Sequence, residues 1–251
     1  MSDQIGTVLV LDVWSDYAHF RKPYTTSSPL TFAVPPRTAL AGMLGAFVGL
    51  QKDEYLQHFT RDHASIAVSI SPSATGICKT RIPENYIDTK DSGSEKMCKI
   101  KNHTQINMEV VYAPKYRVFV RHTEQTVQDS LRSNLSQHRS FYTPYLGISE
   151  FIAGFAFVGE FACSDLPVPT SPIQISSVVP IAGLEPNSVM FEAGPSGAEY
   201  LKDRMPGEML PGRITTTYDE ILYERHGNPI SARPKVSSSV LIDPPVVVMW
   251  L

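Results

Sequence analysis

The first strongly patterned segment of the chain runs from Ile5 to Trp14, where β-branched and other apolar residues are nearly continuous. Such a run is typical of a strand buried on both faces of a sheet. A helix is predicted at Thr38–Leu50, with Thr38 as its N-cap, because Pro35-Pro36 prevent an earlier start. The chain therefore begins as a mixed fold in which a helix packs on a sheet.

The order of the following elements narrows the fold class. The predicted elements are a continuation of the helix over Lys52–Thr60, a strand at Ala64–Ile70, paired strands at Thr104–Tyr112 and Tyr116–Arg121, a helix from a Thr123 cap to about His138, and a strand at Phe151–Phe161. This is the split βαβ pattern of a ferredoxin-like fold, which also underlies RNA recognition modules. An α+β fold of this type is expected.

Two regions outside this pattern are also predicted to be β-structure. Residues 83–103 form a polar excursion with Asp91-Ser92-Gly93-Ser94 at its tip. Strands are expected near 173–181 and 188–192, followed by a hairpin of Arg213–Arg225 with Ile230–Val236. Twenty prolines against fifteen glycines favour short elements over a helical bundle.

Charge and cysteine content exclude several classes of protein. The net charge is −3, which excludes a globally basic nucleic-acid binder, but residues 79–139 carry eleven Lys and Arg against seven Asp and Glu. Three cysteines without a CxxC pair disfavour a disulfide framework and a zinc site. The N-terminus lacks a basic n-region, and Ala39–Leu50 is too short to span a membrane, so we expect a cytoplasmic protein.

Common nucleotide, cofactor and metal motifs are absent from the sequence. It contains no GxxxxGK[ST], no GxGxxG after the first strand, no HExxH and no GxSxG. Gly42, Gly45 and Gly49 fall within the predicted helix and indicate close packing there. We therefore expect neither a cofactor nor a metal.

The long loop over residues 15–36 interleaves aromatic and basic side chains. Such a pattern suits single-stranded nucleic acid, because bases stack on rings and cations meet phosphates. We expect Trp14 and Phe20 to plug the edge of the core. The ligand side is then expected to hold Arg21, Lys22, Tyr24 and Thr25.

A second polar cluster leads into the strand at Thr104. Alternate residues of a strand share a face, so Lys101, His103, Gln105 and Asn107 would line up, with Lys99 just before them. Such a face is typical of a phosphate track, although a solvated edge strand would look the same. Arg37 and Arg81 complete the predicted RNA-binding set.

Three segments of the chain resemble Cas family five, a subunit of type I CRISPR Cascade complexes. They are VLVLDVWSDYAHFRKPYTTSSPLTFAVPPRTALAGMLGAFVGL, NHTQINMEVVYAPKYRVFV and YTPYLGISEFIA. The tail RITTTYDEILYERHGNPI resembles the subtype I-B-like branch.

The resemblance implies an RNA recognition-like, RAMP-type domain over residues 1–160. It also implies a β-hairpin thumb at about 80–110 and a β-rich C-terminal part, 161–251, packed on that domain. Family members hold the 5′ handle of the crRNA, cap the foot of the complex and contact the large subunit and the first backbone subunit. Target DNA is then read by base pairing with the crRNA, through the complex.

Two alternatives remain open. Subtype I-C members cleave repeat RNA without a metal, which needs a general base and a cation beside the phosphate. His103, Lys101 and Tyr24 or Tyr55 could supply such a set here. The third hypothesis is a protein-interaction module in which the basic middle segment is incidental.

Overall fold

The computed structural model describes residues 6–25, 28–71, 76–86, 104–167, 169–191, 197–235, 239–242 and 245–251. Its helices are α1 (Arg37–Val48), α2 (Tyr55–His58) and α3 (Gln125–Ser136), and a 3-10 turn covers Ile181–Gly183. Its strands are β1 (Gly6–Trp14), β2 (Tyr17–Ala18), β3 (Phe20–Arg21), β4 (Thr31–Phe32), β5 (Ala64–Ile70), β6 (Cys78–Tyr86), β7 (Thr104–Tyr112), β8 (Lys115–His122), β9 (Gly154–Asp165), β10 (Ile173–Ile175), β11 (Val179–Pro180), β12 (Tyr200–Leu210), β13 (Ile214–Glu224), β14 (Ile230–Ala232), β15 (Ser239–Ile242) and β16 (Val246–Met249).

The main sheet has six strands in the order β16-β15-β9-β1-β8-β5, and each neighbouring pair is antiparallel. β1 lies inside this sheet, and its residues alternate between two apolar clusters. Leu9, Leu11 and Val13 belong to the cluster that contains the buried residues of α1 and α3, whereas Val8 and Val10 belong to a second cluster. The prediction of a strand buried on both faces is confirmed.

Both outer strands of the main sheet accept backbone hydrogen bonds from other segments. The Val178 amide donates to the Val68 carbonyl of β5 (2.8 Å), and the Ser176 amide donates to the Val247 carbonyl of β16 (2.8 Å). The Leu251 amide also bonds to Ile66 of β5 (2.9 Å). The short segment 176–178 therefore hydrogen-bonds to both edge strands of the sheet.

The helices form where the sequence indicates, but they begin and end at other residues and lack the predicted side-chain caps. α1 begins at Arg37 with Pro36 as N-cap, and neither α1 nor α3 has a side-chain cap, so the expected capping by Thr38 and Thr123 is wrong. The segment 52–60 yields only the four-residue α2. Tyr55 of α2 limits the space at Gly45, because a Cβ there would lie 2.7 Å from the Tyr55 Cβ. Gly49, predicted within the helix, is instead the C-cap of α1, with a left-handed φ of +84°.

The described residues on either side of the predicted polar excursion form two regular antiparallel strands, and residues 87–103 of the excursion lie outside the described residues. β6 and β7 pair from Cys78–Tyr112 at the root to Tyr86–Thr104. The predicted pairing of β7 with β8 is wrong, because β8 pairs with β1 and β5 instead. Ala113 takes a left-handed backbone conformation, and its amide donates to the Asp16 carbonyl (2.7 Å). At this turn the chain passes from the sheet that contains β7 into the main sheet that contains β8.

The C-terminal part pairs differently from the expected hairpin. β13 pairs with β12 and β11, whereas β14 pairs with β10. The last strands, β15 and β16, join the main sheet, and the predicted division at residue 160 falls inside β9. In the described part of the chain, none of the helices combines the length and apolar character that crossing a membrane requires.

Arg37 joins four separate parts of the core. Its side chain is 2% exposed and donates to the carbonyls of Leu251 (3.1 Å), Phe59 (2.8 Å) and Ala64 (2.7 Å). Burial lowers the pKa of the guanidinium to about 10, which still leaves it charged at neutral pH. The prediction that Arg37 binds RNA is therefore wrong. Its guanidinium is buried and donates to backbone carbonyls of the core.

We expect Arg37→Met to lower the free energy of unfolding by about 3 kcal/mol or more, because three buried carbonyls lose their donors. Urea unfolding followed by circular dichroism measures this loss. The exposed Arg81 provides the matched control, and Arg81→Ala should change stability by less than about 0.5 kcal/mol. Equal stability of the two variants would contradict the role assigned to Arg37.

Candidate nucleic-acid interface

The aromatic–basic loop, residues 15–36, is folded on itself by short strand pairs. β3 pairs with β4 through Phe20–Phe32 and Arg21–Thr31, and the Lys22 amide donates to the Leu30 carbonyl (2.8 Å). The Thr25 hydroxyl donates to the Lys22 carbonyl (2.8 Å) and closes the turn. The loop thus has a fixed shape at its base.

Arg21 and Tyr24 are the accessible members of the predicted set in this loop. The Tyr24 ring is 70% exposed, and Arg21 is exposed with one guanidinium nitrogen donating to the Thr25 carbonyl (3.1 Å). Phe20 is buried as expected. Trp14 is not, since 40% of it remains exposed at the end of β1.

Lys22 lies inside the protein rather than on its ligand side. Its ammonium is 2.6 Å from an Asp203 carboxylate oxygen and 5.0 Å from the centre of the Phe32 ring. Burial alone would lower the pKa of Lys22, but the hydrogen bonds and charges of Asp203 and, to a lesser extent, Tyr24 outweigh it and raise the pKa. The positive charge of Lys22 is therefore balanced by Asp203 within the fold.

The hairpin of β6 and β7 presents one polar face. In the antiparallel register Arg81 is opposite Glu109, Pro83 opposite Asn107 and Asn85 opposite Gln105, so these side chains point to the same side. Arg81, Asn85, Gln105 and Asn107 are all exposed. The remaining predicted residues of this hairpin, Lys99, Lys101 and His103, lie outside the described residues.

Glu109 fastens the root of the hairpin to the aromatic–basic loop. One carboxylate oxygen accepts from the Thr31 amide (3.1 Å) and from the Lys79 ammonium (3.3 Å), and Lys79 also donates to the Thr31 carbonyl (2.7 Å). The Glu109 amide donates to the Pro29 carbonyl (3.0 Å). The two predicted clusters, far apart in sequence, are therefore held as neighbours.

His19 adds a second bond at the same junction. It is almost fully buried, and its Nδ1 lies 2.7 Å from the Glu109 carbonyl, which can only accept, so Nδ1 carries the proton. Burial lowers the pKa of His19 and keeps the imidazole neutral. His19 is thus a positioning residue rather than a phosphate contact.

The turn at residues 144–153 supports the loop from the other side. The His19 amide donates to the Leu146 carbonyl (3.1 Å). Gly147 has φ of +96°, and a Cβ there would collide with the His19 carbonyl, so this turn needs glycine both for its backbone angle and for space. The similarity of this segment to a family motif thus has a steric basis.

The sequence reasoning missed three features of this region. Glu109 shares the period-two pattern of Gln105 and Asn107, which was a usable signal. Tyr112, at the end of β7, is 53% exposed, and its ring centre is 5.8 Å from that of Tyr17. No local pattern shows that Asp203 pairs with Lys22.

The catalytic alternative gains little from the described residues. His103 and Lys101 lie outside them, and Tyr24 is exposed. Tyr55 packs against Gly42 and Gly45, and burial raises the pKa of its phenol, so it is a packing residue. Within the described ranges, no three His, Cys, Asp or Glu side chains are grouped so that they could hold a metal ion.

Comparison with known proteins assigns the chain to a family. The family model described as CRISPR-associated protein (Cas_Cas5) matches residues 8–213. The chain belongs to this family. The match includes the aromatic–basic loop, both described strands of the thumb hairpin and the turn at residues 144–153. A search of curated proteins finds no match.

The Cas family five chain was also compared with solved structures. It is similar to a CRISPR protein from Archaeoglobus fulgidus, with a TM-score of 0.54 and 14% identity over 97% of this chain and 99% of that chain. A chain from a CRISPR RNA-guided surveillance complex gives a TM-score of 0.48 and 14% identity over 90% and 91% of the two chains. The first similarity supports a mostly antiparallel fold shared with that CRISPR protein.

We expect Glu109→Ala to loosen the junction, because the Thr31 amide and Lys79 lose their acceptor. The free energy of unfolding should fall by about 1–2 kcal/mol, and hydrogen exchange at the Thr31 amide should accelerate at least about tenfold. Glu84→Ala, on the other face of the same hairpin, is the control and should leave Thr31 unchanged. Unaltered exchange at Thr31 in Glu109→Ala would contradict this junction.

Proposed function

We propose that this chain is an RNA-binding structural subunit of a type I CRISPR Cascade complex that holds the 5′ handle of crRNA and caps the foot of the complex in antiviral defence. The observation that supports this proposal is the Glu109 junction, which ties the loop that carries the exposed Arg21 and Tyr24 to the root of the β6–β7 hairpin. A basic and aromatic surface that continues across two segments suits a single strand better than a compact ligand.

The topology supports the same proposal. β1, α1, β5, β8, α3 and β9 follow one another as strand, helix, strand, strand, helix and strand, with the thumb between β5 and β8, and the four strands lie in the order β9-β1-β8-β5. We infer a ferredoxin-like, RNA recognition-like domain. In this proposal the protruding hairpin of the domain is the β6–β7 pair. The β-rich C-terminal part packs on the domain itself.

Each accessible residue has a distinct role in the proposed binding mode. Arg21 and Arg81 contact phosphates, and Tyr24 stacks on a base. Gln105 and Asn107 bond to 2′-hydroxyls or base edges, whereas the partly buried Thr25, whose hydroxyl donates to the Lys22 carbonyl, holds the turn of the loop. Lys99, Lys101 and His103, which lie outside the described residues, are proposed as further phosphate contacts.

The proposed partners are crRNA, the backbone subunit, the large subunit and, through the complex, target DNA, in the cytoplasm. The sequence of the target is read by base pairing rather than by this chain. The subtype I-B-like assignment of the tail also belongs to this proposal. The chain itself then needs no catalytic residue.

The experiment incubates the purified chain with end-labelled CRISPR repeat RNA in EDTA, with a denaturing and a native gel in parallel. A shift on the native gel without cleavage is the expected result. Specific cleavage that His103→Ala abolishes would instead support the metal-independent endoribonuclease. Absence of both, even on co-expression with the other subunits, would favour a protein-interaction module.

Salt dependence distinguishes the exposed cations from the buried one. The slope of log affinity against log salt for single-stranded handle RNA should fall by about 0.7 in Arg81→Ala, because one phosphate contact is lost. Lys22→Met should leave that slope unchanged but reduce stability by about 1–2 kcal/mol, since Asp203 loses its partner. Arg132→Ala on α3 is the surface control. A reduced salt slope in Lys22→Met, together with an unchanged slope in Arg81→Ala, would contradict the roles assigned to Lys22 and Arg81.

A further inference from the structure

Part of the main sheet remains open on the face opposite α1 and α3. In the middle of that face Val10 of β1 packs with Phe119 of β8 and with Val240 and Val248 of the last two strands. Toward the end of β1 the same face carries Asp12 and then Trp14, and the covering cluster does not include them. Trp14 is 40% exposed there.

Trp14 sits between a glycine and a lysine on the neighbouring strands. Gly154 of β9 and Lys115 of β8 are its antiparallel partners, so the three share a face. A Cβ on Gly154 would lie 2.7 Å from the indole Cε2 and Nε1 atoms, which shows that the indole rests directly against the glycine backbone. This contact fixes the ring in place while leaving part of it open to solvent.

The charges around Trp14 leave Lys115 as the available cation. In the next row Arg117 donates to both oxygens of Asp12 (2.7 and 2.9 Å), so its charge is balanced. Lys115 is partly exposed and forms no ion pair with the residues that the structure describes. The exposed Tyr112 ends the thumb strand three residues before Lys115.

We propose that Trp14 stacks on a base of a single-stranded segment of RNA and that Lys115 contacts the adjoining phosphate. This inference rests on the proposed function, because the same RNA would extend from the thumb past Tyr112 onto the open part of the sheet. An aromatic ring beside a cation on a sheet face is a suitable stacking platform for unpaired bases. A ring that only covers the glycine in its neighbouring strand is the competing explanation.

The chain contains two tryptophans, which permits a direct test. Trp250 lies beside Arg121, 5.6 Å from guanidinium to ring centre. It is replaced in Trp250→Phe, so that Trp14 is the single tryptophan, and its emission is recorded with selective excitation of tryptophan over the tyrosines. Titration with single-stranded handle RNA should quench Trp14 emission and reduce its quenching by acrylamide. The midpoint should match that of RNA fluorescence anisotropy.

Two outcomes of this titration overturn the inference and are distinguishable. If anisotropy reports binding that Arg81→Ala weakens, while Trp14 emission and acrylamide access do not change, the inference fails and the proposed function stands. If no RNA binds, both fail. Protection of Trp14 only on addition of a protein subunit, with RNA already bound, would assign the surface to that protein and overturn the inference.

Substitutions of Trp14 distinguish a ring that stacks on a base from a side chain that only covers Gly154. Trp14→Phe keeps a ring and should bind handle RNA within about threefold of wild type, whereas Trp14→Leu covers Gly154 without stacking and should weaken binding about tenfold or more. The unfolding midpoint of each variant provides the folding control. Equal affinity of correctly folded Trp14→Leu and wild type would leave Trp14 with a covering role and refute the proposal.

Discussion

The junction at Glu109 is the contact on which the candidate interface depends. A thumb of two strands has little core of its own, so its direction is set where it leaves the body. Glu109 supplies that attachment through its carboxylate and its backbone, and Lys79 and His19 add bonds from either side. Because all three contacts reach the aromatic–basic loop, the loop and the thumb root are held as one surface.

Closure of the main sheet limits where a nucleic acid can bind. In an RNA recognition fold the open face of the sheet is the usual platform. Here the backbones of Val178 and Leu251 occupy the hydrogen-bonding edge of β5, and the second apolar cluster fills the middle of the face opposite α1 and α3. What remains accessible is its end at Trp14, next to the segment that leads from the thumb, which makes the end of the sheet an extension of the same interface.

The sequence predicted those features that depend on neighbouring residues. β1, β5 and the helix at α1 follow from local apolar patterns, and the polar face of the thumb follows from alternation along a strand. Lys22 and Arg37 looked like free cations because their partners Asp203 and Leu251 are 181 and 214 residues away. The pairing of β8 with β1 and β5 was missed for a similar reason. The turn at Ala113 between β7 and β8 is fixed by a hydrogen bond to Asp16, which is distant in sequence.

The central claim is that the loop and the thumb act as one RNA-binding surface. Hydrogen exchange of the chain with and without single-stranded handle RNA tests it most directly. The account predicts slower exchange in both residues 17–31 and the strands β6 and β7, with no change in the β12–β13 hairpin beyond its contact with Lys22. Protection confined to one of the two segments, or centred on the C-terminal hairpin, would contradict it.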